Sequence, residues 1–155
     1  MTEQRAYDRA LALLAGRGYA TGELRRRLAR SGFSVDEVAV VLDRLTAVGL
    51  LDDAAYARQL TRAKVLGGGA GARRVQRELA ARGVGREVAE RAIATVMQDE
   101  GVDESVLAEQ VARRRMTALA RFDPATQRRR LYAYLARRGY SADDIRRAVK
   151  LAIGE

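Results

Sequence analysis

Histidine, cysteine and tryptophan are absent from this chain, and proline occurs once, at Pro124. Without His or Cys there can be no Cys/His zinc site, disulfide, thiol nucleophile or imidazole-based catalysis. Aromatic residues are few, at 5%. No uncharged stretch approaches the ~20 apolar residues that cross a bilayer. The opening Met1-Thr2-Glu3-Gln4-Arg5 leads into no apolar signal core. These absences set the expectation of a soluble, intracellular protein with no membrane partner and no cofactor; cysteine absence alone does not fix the compartment, and the cytoplasm is the expected one.

What is present is charge. Lys and Arg number 29 against 20 Asp and Glu, which leaves a net +9 over 155 residues. Only Lys64 and Lys150 are lysines. Arginine suits planar, bidentate contact with phosphate or carboxylate, although a high-GC genome enriches it too. The net charge favours a polyanion or an acidic protein surface as partner. A merely solvated helical face is the competing reading. Ala, Leu, Arg and Glu dominate and β-branched runs are scarce, a composition that favours helix throughout.

The chain repeats itself three times at a period of about 50 residues. Arg25–Val38, Gln76–Ala89 and Tyr132–Ile145 align without gaps on Gly32, Gly83 and Gly139. Four residues before each glycine stands Leu28, Leu79 or Leu135. Four earlier stands Leu24, Val75 or Leu131, so each pair shares one helix face. The glycine ends the helix, because it takes the left-handed conformation without a Cβ clash. Phe33, Val84 or Tyr140 follows and can fold back on the helix end. A second helix then begins, with Ser34 and Glu37 as a capping box, Ser141 and Asp144 as a near version, and Gly85 as a weaker cap. Its apolar face is Val38, Val41, Leu42 and Leu45; or Ala89, Ala92, Ile93 and Val96; or Ile145, Ala148, Val149 and Ala152.

A further helix precedes each pair. The first carries Tyr7, Ala10, Leu11 and Leu14. The second opens at Asp52-Asp53 with Tyr56, Leu60 and Ala63, and the third near Asp103 with Ala108, Ala112, Met116 and Leu119. Thr21 is expected to cap the helix holding Leu24, and Asp123-Pro124 reads as cap plus N1 proline. The expected fold is all-α: three tandem three-helix modules, residues 5–49, 51–99 and 103–153, in an elongated, curved array. A unit of ~50 residues is marginal alone, so neighbours are expected to share apolar surface.

Gly67-Gly68-Gly69-Ala70-Gly71 lacks the Lys-Ser/Thr ending of a phosphate-binding loop and follows a helix, so it reads as a flexible connector. In the helix beginning at Ala72, that residue, Val75 and Leu79 cluster on one side and Arg73, Arg74 and Arg77 on the other. Cations near a helix start oppose its dipole, and a local cost without structural benefit points to function. Equivalent helices carry Arg26 and Arg30, and Arg129, Arg130 and Arg137. A basic face repeated on equivalent helices would make a stripe able to follow a phosphate backbone. Aromatic interleaving for base stacking is absent. Helix–turn–helix readout is an alternative, better served by Arg146, Arg147 and Lys150 than by the acidic first module. Asp52-Asp53 and Asp143-Asp144 sit at expected caps, so a carboxylate-metal enzyme has little support.

Gly49-Leu50-Leu51-Asp52-Asp53-Ala54-Ala55-Tyr56-Ala57 and the run Gly71–Val84 resemble signatures of the RecX family of bacterial recombination regulators. Ala10–Leu14 followed by Thr21–Leu28 fits the family's first module, and the third module matches through its repeat pattern. Tyr56 stands where the family often has Phe, and the 67–71 glycine run is looser than usual. The resemblance implies a non-enzymatic regulator of homologous recombination and DNA repair. Such proteins bind the RecA recombinase and dampen its filament growth, ATPase, strand exchange and coprotease activity, and many bind DNA. The expected partners are the RecA filament and the backbone of single- or double-stranded DNA, met by a monomer. The expected contact residues are Arg73, Arg74 and Arg77, then Arg26, Arg30, Arg129, Arg130 and Arg137.

Overall fold

The computed structural model describes residues 2–155. Among the described residues there are nine α-helices and no strand. They are α1 (Thr2–Gly16), α2 (Thr21–Arg30), α3 (Val35–Ala47), α4 (Asp53–Arg62), α5 (Ala72–Ala81), α6 (Arg86–Asp99), α7 (Glu104–Leu119), α8 (Pro124–Arg138) and α9 (Ala142–Ile153). Helix α4 widens into a π-helical turn, Ala63–Gly67. Ala63 faces solvent instead of joining the core, because Ala57 and Thr61 hold the buried face of α4 and Ala63 lies on its far side.

Local chemistry explains most of the helix ends. The side chains of Ser34, Asp52, Asp103, Asp123 and Ser141 accept from amides in the first turns of α3, α4, α7, α8 and α9. Gly85 offers α6 no such bond. The anchor glycines close the middle helices with positive φ, +82° at Gly83 and +96° at Gly139. The amides of Phe33, Val84 and Tyr140 return to the carbonyls of Leu28, Leu79 and Leu135, the six-residue closure of a Schellman stop.

Helices pack chiefly within triplets, α1–α3, α4–α6 and α7–α9. Each triplet surrounds its own apolar cluster, and Leu24, Leu28, Val75, Leu79, Leu131 and Leu135 are fully buried. The apolar faces read from α3, α6 and α9 are all inside, with Ala152 only partly so. Sharing between neighbours is slight: Ala20 joins the second cluster, and Leu107 packs against both the second and the third. The molecule exposes 9091 Å². A compact monomer of its 17.0 kDa would expose ~7,700 Å², so the triplets are strung out.

Polar and backbone contacts make the seams. The chain turns Gly22 against Gly83, where a Cβ on Gly22 would lie 2.6 Å from the Gly83 carbonyl oxygen. It turns Gly71 against Gly139, where a Cβ on Gly71 would lie 2.5 Å from the Gly139 carbonyl oxygen. Thus the carboxyl end of α5 meets the amino end of α2, and the carboxyl end of α8 meets the amino end of α5. Thr21 does not cap α2: it is the helix's first residue, and its amide and hydroxyl donate to Asp53 Oδ1 at 2.8 and 3.0 Å. At the second seam the Ala72 amide donates to Glu104 Oε1 at 2.9 Å. Each acid stands 32 residues beyond the amide it serves. A carboxylate from the next domain therefore caps the middle helix of the one before it.

Candidate nucleic-acid and protein interface

The expected contact arginines sit on the three middle helices, which the seams bring into end-to-end contact. All eight are exposed: Arg26 and Arg30 on α2, Arg73, Arg74 and Arg77 on α5, and Arg129, Arg130 and Arg137 on α8. Two have structural partners. Arg26 Nη2 donates to the Ala81 carbonyl at 2.8 Å and straps the first seam. The Arg130 guanidinium lies 4.2 Å from the centre of the Phe122 ring. For Arg30, Arg73, Arg74, Arg77, Arg129 and Arg137 no carboxylate or hydrogen-bond partner of the side chain occurs among the described residues.

The start of α5 differs from its sequence reading. The glycine run 67–71 is the seat of the second seam. The Gly71 amide donates to the Arg138 carbonyl at 2.8 Å and the Arg73 amide to the Gly139 carbonyl at 3.2 Å. Arg138 Nη2 donates to the Gly68 carbonyl, and the Tyr140 hydroxyl to the Gly69 carbonyl. The close approach that these glycines permit is thus taken by the third domain. The negative end of α8 also faces the amino end of α5, which offsets the cost of placing Arg73 and Arg74 there. Burial pushes the Tyr140 phenol up to about 12 and raises the Glu104 carboxyl above its usual value.

Three of the four paired acids have carboxylate partners: Asp52 caps α4, Asp53 caps α2, and Asp143 pairs with Arg146, while Asp144 contributes only its backbone amide to the Ser141 cap. Sequence reasoning missed the long-range roles of Asp53 and Glu104, though their common offset from Thr21 and Ala72 was a readable signal. It also missed a groove of about 390 Å³ between α5 and α6, with Arg73, Arg77 and Arg86 around Ala80, Val84 and Ala89.

A tandem array of three-helix domains with basic, partly unpaired middle helices is the class that this architecture defines. Family profiles for the first, second and third three-helix domains of RecX match residues 6–45, 52–93 and 103–149. The chain belongs to the RecX family. It is 40% identical over 137 residues to a regulatory protein RecX from Mycolicibacterium vanbaalenii, covering 84% of this chain and 73% of the relative. It is 38% identical over 142 residues to one from Chromohalobacter salexigens, covering 92% and 89%. The crystal structure of RecX from Lactobacillus salivarius superposes with a TM-score of 0.82 at 16% identity, over 97% of this chain and 96% of that one. Another crystal structure, of a regulatory protein RecX, gives 0.82 at 19% identity over 99% and 73%. No helix among the described residues is long and apolar enough to cross a membrane.

Proposed function

We propose that the chain regulates homologous recombination and DNA repair by binding the RecA recombinase on DNA and inhibiting its filament growth, ATPase, strand exchange and coprotease activity. The observation that carries this reading is the run α8–α5–α2. Three basic helices from three domains touch end to end, so exposed guanidinium groups recur along consecutive segments of the array. Weak charge contacts repeated on a connected scaffold sum to avidity on a repeating, anionic partner. Arg73, Arg74 and Arg77 lead the contact set, followed by Arg30, Arg129 and Arg137. Arg26 and Arg130 are secondary, because a seam carbonyl and Phe122 already engage them. The three domain spans, 5–49, 51–99 and 103–153, act as three contact units of one monomer in the cytoplasm.

The test is titration of the protein into RecA assembled on single-stranded DNA while ATP hydrolysis is followed. Substoichiometric inhibition is expected, and reversal of Arg73, Arg74 and Arg77 to Glu should abolish it in a chain of unchanged helicity. No effect of the wild-type chain at saturation overturns the reading. A sequence-selective footprint without RecA would instead establish the helix–turn–helix alternative.

A further inference from the structure

We propose that the groove between α5 and α6 docks an acidic peptide segment that presents one bulky apolar side chain between its carboxylates. The proposal rests on the function proposed above only in taking Arg73 and Arg77 as partner contacts. It adds the chemical class of what they contact.

The groove lies where the middle repeat carries smaller side chains at two positions. Where the first repeat has Phe33 and Val38, and the third Tyr140 and Ile145, the second has Val84 and Ala89. Each of the larger residues packs into or against its own domain core. Beside the smaller, almost fully buried Val84 and Ala89 lies an open space of about 390 Å³ lined by Ala80, Val84 and Ala89. That is the size of a small ligand pocket and ample for one leucine or aromatic side chain. The third change is polar: Arg86 stands where the other repeats have Val35 and Ala142.

The rim fixes the sign of the partner. Arg73 and Arg77 border the floor and have no carboxylate partner among the described residues. The neighbouring acid, Glu90, is held by the chain itself, accepting from Arg86 Nε at 2.8 Å and from Gln76 Nε2 at 3.2 Å. Two free forks over an apolar floor match carboxylates flanking an apolar anchor. A nucleic-acid strand fits less well, because the floor is small and aliphatic and offers no aromatic face for a base.

The experiment uses the full chain and three fluorescent probes: a short Asp/Glu peptide with one central Leu, the same peptide with Ala at that position, and an oligo-dT strand. The Leu peptide should bind at least roughly tenfold tighter than the Ala peptide. Restoring bulk with Val84→Phe and Ala89→Ile should erase that preference and leave oligo-dT affinity unchanged. Ala80→Gln covers the same floor from an exposed helix position, so it gives the answer if the double variant fails to fold. Arg73→Glu with Arg77→Glu should weaken both peptides. Equal affinity for the two peptides, or a Leu preference that survives a filled floor, overturns the proposal. So does loss of oligo-dT binding on filling the floor, which would mark a nucleic-acid site. RecA ATP hydrolysis, followed alongside, separates the two readings: inhibition without Leu preference sinks the groove alone, and Leu preference without any effect on RecA sinks the functional reading alone.

Discussion

Gly32 and Gly139 are both left-handed stops, with φ of +95° and +96°, yet they answer to different neighbours. A Cβ at Gly32 would meet nothing within 4 Å, whereas one at Gly139 would run into the backbone of Arg74. Gly32→Ala should therefore cost only the left-handed penalty of about 1–2 kcal/mol. Gly139→Ala should cost more, because it must also push two domains apart. Urea unfolding of both variants checks the order. Leu79, fully buried, provides the packing reference, and Leu79→Ala should cost ~2–5 kcal/mol. The stop role of these glycines was legible, since each ends an apolar helix face and precedes Phe, Val or Tyr. Their seam role was not, because aligning repeats compares domains without saying which residues of one touch the next.

Among elements, the caps that cross a seam tie helix formation in one domain to the presence of the next. Asp53→Ala removes two bonds from the start of α2 and should destabilise the first domain by ~1–2 kcal/mol. Amide exchange in α2 reports it, and exchange in α8 should not change. The second seam adds a pH signature. The Tyr140 phenol has its ordinary value near 10.0 when unfolded and about 12 in the fold. The folded state thus holds the proton more tightly. The stabilisation is complete below pH ~10 and is lost as pH rises through the folded value. Tyr140→Phe should flatten the fall in thermal stability over that window. The caps made by Ser34, Asp52, Asp103, Asp123 and Ser141 could be anticipated because they act within three residues. Thr21 escapes the same rule, since local spacing finds a local partner first and its true partner lies in the next domain.

For the molecule as a whole, ionic strength is the natural probe. Reversing Arg73, Arg74 and Arg77 should weaken single-strand binding and flatten its salt dependence by ~0.7 in log–log slope for each phosphate no longer neutralised. Fluorescence anisotropy across a salt series measures this directly. The all-α class, the triple repeat and the core leucines followed from periodicity alone. The basic residues followed too, because exposure opposite an apolar stripe can be read from one helix. Their continuity across domains could not, since it depends on Gly22, Gly71, Gly83 and Gly139 meeting in space.

The end-to-end contact of α8, α5 and α2 makes the protein a vector. The three helices follow one another head to tail, from the amino end of α8 to the carboxyl end of α2, in the reverse of the order of the domains in the chain. Turned end for end, it would present its electropositive tip where the opposite tip belongs. A partner with its own directionality would accept one of the two placements and reject the other.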